Sequence, residues 1–284
     1  MQTNTLKMIV NSKIKKQILM CAPTYFEVTY AINPAMARTL ACKIAVNQFK
    51  AMEQWTGLKD IYTKEGFDVV LIDPVKGLPD MVFTANCGIV NDGRAIIGEF
   101  KHAQRKPETE YFEKWFKEND YGIIHIKEEF EGTGDMLLWK DNIIGGHGVR
   151  SGLDGITKVA KFFTFLGRGK DLVPVKLVDD NYYHLDTCFC PMGENALFYP
   201  KAFSADSIEV LLEMGAMPIN DKDARSMLPN GVYLDNGKGI KFIASKISRE
   251  WRNALEKLGI EIILNPTSEF QKSGGSNRCL TLFL

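Results

Sequence analysis

The sequence has no excess of charge of either sign, because 35 Lys and Arg residues balance 35 Asp and Glu residues over 284 positions. A chain without net charge has no overall field that would hold nucleic acid or an anionic membrane surface. We therefore predict no nucleic acid and no membrane among the partners of this protein. A small-molecule substrate is the expectation that remains.

The sequence is also poor in cysteine and in long apolar runs. Its six cysteines have neither the density nor the spacing of a secreted disulfide framework. Cys188 and Cys190 lack the second pair that a zinc site of this type needs. The apolar run at 17–23 is too short for a signal peptide or a membrane span. We therefore predict a reducing compartment and a cytoplasmic protein.

One structural pattern recurs along the chain. Short segments rich in Val, Ile and Leu follow one another at intervals of about 40 to 55 residues. These predicted strands are 67–72, 121–126, 173–178, 216–219 and 260–264. The later four follow helical patterns at 108–118, 154–165, 205–214 and 248–258, and hairpin-like segments lie at 81–98, 136–145, 185–199 and 231–244. Five repeats of this kind predict an α/β fold.

The two ends of the chain complete the pattern. The fifth repeat has no second hairpin strand, and the apolar segment 18–22 can supply it, which would join the repeats in a closed ring without exposed edges. We also predict a first helix at 36–55, ended by Gly57. No linker divides the chain, so we expect one domain over 1–284, with 1–16 as a flexible arm.

Side chains suited to chemistry follow the predicted strands. Cys279 comes just after the Gly274-Gly turn and has the position of a nucleophile, although a cysteine there is also a small hydrophobe for a buried strand. His184 and Asp186 alternate on a predicted strand and so can face one site. Other loops supply carboxylates and arginines, namely Asp80, Arg105, Glu131, Asp135 and Arg150. Cysteine with histidine suits covalent catalysis, and converging carboxylates would hold a cation.

Together these residues resemble a known family. The motifs are Pro79-Asp-Met-Val-Phe-Thr-Ala-Asn86, Glu131-Gly-Thr-Gly-Asp135, His184-Leu-Asp186 and Gly274-Gly-Ser-Asn-Arg-Cys279. They resemble the guanidino-group-modifying hydrolases and amidinotransferases: arginine deiminase, dimethylarginine dimethylaminohydrolase and, most closely, the arginine dihydrolases. The resemblance spans nearly the whole chain. It implies a five-bladed α/β propeller, the pentein fold, with five pseudo-repeated ββαβ units.

The resemblance also implies catalytic roles. Cys279 matches the nucleophile, His184 the general acid and base, and Glu131 the carboxylate that orients the histidine or the substrate. Asp135 lies close enough in sequence to share or exchange the role of Glu131. Without the resemblance, His184 would be read as a structural histidine and the two carboxylates as ordinary loop residues.

Further positions match substrate contacts in the family. Asp186 matches the guanidinium-binding aspartate, Asp80 a contact to the polar end of the substrate, Phe83 a ring over the guanidinium, Arg105 and Arg150 ligands of the α-carboxylate, and Asn33 an active-site amide. Each has a plain alternative: a turn or cap residue for Asp186 and Asp80, core packing for Phe83, a surface salt bridge for each arginine, and the start of a helix for Asn33.

One departure from the family decides how far the reaction is expected to go. Deiminases and dimethylargininases generally have Asp where this chain has Asn86, whereas the dihydrolases show Asn. An asparagine can hydrogen-bond a neutral urea as well as a cation. The sequence therefore predicts a dihydrolase that converts L-arginine or a substituted arginine to ornithine, ammonia and carbon dioxide, with no metal and no organic cofactor.

Other readings of the sequence stay open. A deiminase or a dimethylargininase would stop at citrulline, an amidinotransferase would need an amine acceptor, and an arginine-binding sensor would not turn over. Dihydrolases can carry a further C-terminal domain, and we expect its activity to be absent because the chain ends five residues after Cys279. The sequence is compatible with a homo-oligomer and does not define the number of copies.

Overall fold

The structure, a computed structural model, describes residues 16–165, 171–237 and 239–284. Apart from Lys16, the predicted N-terminal arm lies outside these residues. None of the described helices combines the length and the apolar composition that crossing a lipid bilayer requires.

The described residues form fifteen strands in five sheets, with seven α-helices. The strands are β1 (Gln17–Cys21), β2 (Asp68–Ile72), β3 (Ile89–Asn91), β4 (Arg94–Glu99), β5 (Gly122–Glu129), β6 (Met136–Trp139), β7 (Asn142–His147), β8 (Asp171–Lys176), β9 (Phe189–Met192), β10 (Asn195–Phe198), β11 (Met217–Pro218), β12 (Val232–Asp235), β13 (Ile240–Ala244), β14 (Ile260–Leu264) and β15 (Leu282–Phe283). The helices are α1 (Pro34–Ala41), α2 (Gln48–Lys64), α3 (Glu108–Glu118), α4 (Leu153–Phe165), α5 (Ala205–Glu213), α6 (Asp221–Arg225) and α7 (Arg249–Lys257).

Four of the sheets repeat one pattern. Two strands form an antiparallel hairpin, and a third strand pairs parallel to the second, as in the sheet β3-β4-β5. A parallel pair needs a long crossover, and a helix supplies it in each repeat. The five strands predicted from the sequence correspond to β2, β5, β8, β11 and β14. The four later predicted helices correspond to α3, α4, α5 and α7. The repeating ββαβ unit read from the sequence is confirmed.

The fifth sheet joins the two ends of the chain. In it β1 pairs antiparallel with β15, through Ile18 with Phe283 and Leu19 with Leu282. On its other side β1 pairs parallel with β2. The N-terminal strand thus completes the last repeat, as predicted, and the fold is a five-bladed α/β propeller.

The prediction of one helix at 36–55 is wrong. The segment 42–47 separates α1 from α2, and Asn47 caps α2 by accepting a hydrogen bond from the backbone N–H of Lys50 at 3.0 Å. Gly57 does not end the helix but lies inside α2, where a Cβ atom would stand 2.7 Å from Oδ1 of Asn265. The glycine permits close packing against a residue more than 200 positions away, a contact that local sequence cannot reveal.

A buried turn precedes the first strand of each blade. The turns at Thr84–Asn86, Gly132–Gly134, Leu185–Thr187 and Leu228–Asn230 precede β3, β6, β9 and β12, and a turn at 277–280 precedes β15. Neighbouring turns contact one another. The five turns therefore form one end of the propeller, and the strands lead away from it towards the hairpin tips.

Candidate active site

Each of the five turns, or the residue directly before it, brings a polar or nucleophilic side chain to the same end of the propeller. The residues are Asn86, Glu131, Asp186, Asn230 and Cys279, and all five are buried. Because the blades repeat, residues far apart in sequence occupy equivalent places around one axis. Four of these five residues are recognisable from the sequence, and Asn230 is not.

Cys279 lies in a turn, so its interpretation as part of a buried strand is wrong. Its backbone carbonyl accepts a hydrogen bond from the N–H of Ala85 at 3.2 Å. The amide of Asn230 donates through Nδ2 to the sulfur at 3.1 Å and accepts through Oδ1 from the N–H of Cys279 at 3.3 Å. These contacts hold the sulfur in place. Burial, together with the charge of Asp186, raises the pKa of the Cys279 thiol well above its ordinary value.

Asp186 is the carboxylate next to the sulfur. Its two oxygens lie 3.4 and 3.6 Å from Sγ of Cys279, in positions to accept the thiol proton. Burial raises the pKa of Asp186 to about 7, although the positive charge of Arg278 opposes the rise. A cation that arrives beside Asp186 and Cys279 would favour the ionised form of both groups.

His184 and Glu131 form the second reactive pair. Nε2 of His184 lies 2.7 Å from Oε2 of Glu131. Burial disfavours the Glu131 charge, but Arg150 and His184 outweigh it and hold the pKa of this carboxyl well below its usual range. On the other side of the ring, Nδ2 of Asn86 lies 3.5 Å from Nδ1 of His184. Since an amide N–H can only donate, this network assigns Nδ1 as acceptor and Nε2–H as the donor to Glu131.

The expected alternation of His184 and Asp186 on a strand is wrong in its geometry. His184 has an extended backbone, and Asp186 lies in the 3₁₀ turn Leu185–Thr187 that follows it. Both side chains nevertheless reach the same end of the propeller, His184 to Glu131 and Asp186 to Cys279.

Asp135 lies near the same histidine but farther from it than Glu131 does. Its Oδ2 is 3.9 Å from Nε2 of His184, compared with 2.7 Å for Glu131. Asp135 accepts hydrogen bonds from the hydroxyl of Ser151 at 2.6 Å and from the N–H of Leu185 at 3.0 Å. Burial raises the pKa of Asp135 to about 6. Of the two candidate carboxylates, Glu131 is therefore the one in direct contact with the histidine.

Arg105 orients the amide of Asn86. Its Nη1 donates to Oδ1 of Asn86 at 2.8 Å, while its Nε and Nη2 form a bidentate pair with Glu108 at 3.0 and 2.8 Å. Its guanidinium also lies 4.5 Å from the centre of the Phe100 ring. With the oxygen of Asn86 held by Arg105, the amide nitrogen is left to face His184. Burial raises the pKa of Glu108 to about 7 against the opposing charge of Arg105.

Arg150 is held at the edge of the same site. Its Nη1 donates to Oε2 of Glu131 at 3.0 Å, and its Nη2 donates to the backbone oxygen of Ile32 at 2.9 Å. The guanidinium lies 4.6 Å from the centre of the Tyr183 ring. Both arginines are buried, so the reading of each as a surface salt bridge is wrong.

A small cavity reaches Cys279 from outside. Its walls include Asn33, Asp80, Phe83, Asn86, Arg105, Arg150 and Tyr183. Its volume is only about 10 Å³, close to the space of one water molecule. An arginine molecule is far larger, so these walls must move apart when a substrate of that size enters.

Three lining residues have definite contacts. Asp80 accepts hydrogen bonds from the hydroxyls of Tyr30 at 2.7 Å and Ser273 at 3.3 Å. Asn33 caps α1 by accepting from the N–H of Met36 at 2.9 Å, so it is a helix-start residue that also lines the cavity. Phe83 packs edge-on against Phe26, with ring centres 5.7 Å apart. Its core-packing interpretation and its place at the cavity are therefore compatible.

Two residues of the site escaped the sequence analysis. Asn230 occupies the turn of the fourth blade, the one loop for which no reactive residue had been proposed. The fivefold repeat itself predicts a functional side chain there. Glu108 follows Arg105 by three positions, a spacing at which opposite charges pair at a helix start. That spacing was a usable signal for Glu108.

Comparison with known proteins agrees with this geometry. A family model described as "N,N dimethylarginine dimethylhydrolase, eukaryotic" matches residues 22–284. The bifunctional arginine dihydrolase/ornithine cyclodeaminase ArgZ of Synechocystis is 37% identical over 276 residues, which cover 94% of this chain and 37% of ArgZ. The chain thus spans well under half the length of that relative.

A second relative and a solved structure extend the comparison. The N(G),N(G)-dimethylarginine dimethylaminohydrolase of Mycobacterium tuberculosis is 30% identical over 270 residues, which cover 94% of this chain and 85% of that protein. A crystal structure of the N-terminal domain of ArgZ, covalently bound to a reaction intermediate, matches with a TM-score of 0.86 and 35% identity, over 95% of this chain and 97% of that one. The resemblance found in the sequence is confirmed. This chain belongs to the N,N-dimethylarginine dimethylhydrolase family, among the guanidino-group-modifying enzymes.

Proposed function

We propose that this protein is a cysteine-dependent hydrolase that converts L-arginine to ornithine, ammonia and carbon dioxide. The observation that carries the proposal is the pair of contacts at one end of the propeller, Cys279 with Asp186 and His184 with Glu131. A thiol beside a carboxylate suits attack on a cationic carbon, and a histidine held by a carboxylate suits proton transfer. The covalent intermediate in the ArgZ structure supports the same chemistry here.

The first half of the reaction releases one ammonia. The guanidinium binds beside Asp186, and its charge favours the Cys279 thiolate, whose proton passes to His184. The sulfur attacks the guanidinium carbon, and the bond from that carbon to a terminal nitrogen breaks as His184 gives its proton to that nitrogen, which leaves as ammonia. The product is a covalent S-alkylthiouronium. Water, activated by His184, adds to the same carbon, and the thiolate leaves to give citrulline.

The second half repeats the cycle on the neutral ureido group. Cys279 again displaces ammonia, and water releases a carbamate that decomposes to ornithine and carbon dioxide. In sum, one arginine and two waters give one ornithine, two ammonia and one carbon dioxide. We assign Asn86 the task of holding the neutral group, because its amide nitrogen can donate to a urea oxygen.

Product analysis tests the proposal. We expect purified protein with L-arginine to form ornithine and ammonia in a ratio of one to two, with citrulline only as a transient. Chromatographic amino-acid analysis and an ammonia assay on the same samples measure this ratio. Citrulline and ammonia in equal amounts, with no ornithine, would show that the reaction stops after one cycle.

A dimethylargininase is the second candidate, favoured by the family match and by the M. tuberculosis relative. Such an enzyme would release dimethylamine and citrulline from asymmetric dimethylarginine. Parallel incubations with arginine and dimethylarginine at equal concentration separate the two candidates. A kcat/KM for dimethylarginine above that for arginine would reverse our assignment of substrate.

We also predict that activity and stability change in opposite directions between about pH 4 and pH 7. Guanidinium binding needs the Asp186 carboxylate, so kcat/KM should rise about tenfold per pH unit below 7 and level off above it. Burial raises the pKa of Asp186 in the folded state above its unfolded value. This contribution to stability is therefore full below the unfolded pKa and is lost as pH rises through about 7.

The variant Asp186→Asn separates the contribution of Asp186 to stability from those of Glu108 and Asp135, whose pKa values are also raised by burial. The difference in free energy of unfolding between wild type and variant should change with pH only in this window. Denaturant titrations at pH 4.5, 6 and 8 measure it. A kcat/KM that is flat from pH 5.5 to 8 would contradict the assignment of Asp186.

A further inference from the structure

A second, larger cavity extends from the turns at Pro229 and Arg278 along the strands towards the hairpin tips. Its volume is about 540 Å³, within the range of roughly 300–1,000 Å³ typical of ligand sites. The first strands of the blades, β3, β6, β9, β12 and β15, contribute to its walls. These strands lead away from the active-site turns, and the cavity shares no lining residue with the cavity at Cys279. We refer to it as the axial cavity.

Arg278 is one of the residues that line the axial cavity. This side chain is half-buried, its Nη1 donates to the backbone oxygen of Thr281 at 2.7 Å, and its guanidinium lies 5.6 Å from the centre of the Phe283 ring. Among the described residues no carboxylate forms an ion pair with Arg278. A guanidinium has five N–H donors in a planar fork, a geometry that matches two carboxylate oxygens.

Asn91 is a second polar residue of the axial cavity. It lines the cavity at the end of β3 and is nine-tenths buried. Its Nδ2 has no hydrogen-bond partner among the described residues and is closed to solvent in this structure. Because buried donors are rarely left unpaired, rotation of the amide towards the cavity would let it donate to a ligand.

The remaining walls are mostly apolar and come from side chains such as Ile89, Phe189 and Val232. An apolar wall suits a hydrocarbon body and disfavours a second charged group on the ligand. Two charged residues in exposed hairpin turns also line the cavity. Glu194 would repel an incoming anion weakly, and Lys140 would attract it weakly. We infer that the axial cavity binds a small monocarboxylate with an apolar body, its head group held by Arg278 and Asn91.

A ligand in the axial cavity would affect the active site through the charge of Arg278. Arg278 directly precedes Cys279, and its positive charge opposes the rise in the pKa of Asp186 that burial causes. A carboxylate bound to Arg278 would offset that charge and favour the protonated form of Asp186. Since guanidinium binding needs the Asp186 carboxylate, we expect it to lower kcat/KM for arginine. Because it would not occupy the arginine site, this inhibition should level off above zero.

The test uses sodium hexanoate as the probe and the purified protein. Isothermal titration calorimetry should detect hexanoate, whereas hexanol and hexylamine should bind at least tenfold more weakly. The variant Arg278→Gln should weaken hexanoate binding at least tenfold. Asn91→Leu, which roughly keeps the volume of the side chain, should weaken it about fivefold. Glu194→Gln should tighten binding about threefold. These binding measurements do not require turnover, so their outcome does not depend on whether the proposed hydrolase activity is correct.

Inhibition kinetics provide the second readout, with arginine varied at fixed hexanoate. Partial inhibition of kcat/KM that levels off at saturating hexanoate, and that Asn91→Leu weakens without change in the uninhibited rate, supports the inference. Complete, simple competition with arginine, with no response to Asn91→Leu, would place the carboxylate in the arginine site and overturn it. Equal binding of hexanol would also overturn it, since the cavity would then be an apolar pocket without an anion site.

Discussion

Replacement of Cys279 by serine is expected to lower arginine turnover by about 10⁴-fold or more. Serine is nearly isosteric, so the contacts from Asn230 and Asp186 can persist. The hydroxyl, however, is a far weaker nucleophile than a thiolate, and no covalent intermediate would accumulate. Steady-state ammonia release measures the loss, and calorimetry with arginine should show that the variant still binds its substrate.

The exposed Cys42 offers a matched control, because Cys42→Ser makes the same chemical change away from the site. It should keep wild-type turnover. Acid quenching of the wild type during turnover, followed by peptide mass spectrometry, should show an adduct on the peptide that contains Cys279. Unchanged turnover in Cys279→Ser would refute the proposed nucleophile.

Replacement of Asn86 by aspartate should change the product from ornithine to citrulline. The substituted carboxylate would pair with Arg105 in place of the amide oxygen and would have no N–H to donate to a urea oxygen or to Nδ1 of His184. Loss of a buried donor to a neutral group costs up to about 3 kcal/mol, or roughly 100-fold in rate. The first cycle acts on a cation, which a carboxylate can also bind, so the rate of that cycle should fall less.

The ratio of ornithine to citrulline at early times measures this effect. Asn33→Asp is the control, since it also adds a carboxylate to the wall of the cavity but retains an oxygen that can cap α1. That variant should leave the product ratio unchanged even if its rate falls. An unchanged ratio in Asn86→Asp would show that another residue decides whether the second cycle occurs.

Much of the fold could be predicted from local patterns. The five strand segments, the four later helices and the pairing of the two chain ends depend on apolar periodicity and on repeat spacing, which are visible in one dimension. The predictions that were wrong involve tertiary contacts. Gly57 looked like a helix end, but it lies inside α2 because its missing side chain makes room for Asn265.

In the candidate site, too, some residues are recognisable from local patterns and others only from tertiary contacts. Cys279, His184, Asp186 and Glu131 stood out because their residue types and motifs suit covalent chemistry. Asn230 and Glu108 did not, because an asparagine in a turn and a glutamate at the start of a helix are common and carry no chemical signature of their own. Their roles follow from partners, the sulfur of Cys279 for one and the guanidinium of Arg105 for the other.

By itself, the sequence determined the repeat and the family and pointed to the proposed nucleophile, because these depend on residue identity and spacing along the chain. Only the tertiary structure decided which carboxylate contacts His184, since Glu131 and Asp135 are four positions apart and differ by little more than 1 Å in their approach to Nε2. It also decided that Arg105 orients the amide of Asn86. Distances and hydrogen-bond directions of this kind arise when separate blades meet around one axis, and no local pattern encodes them.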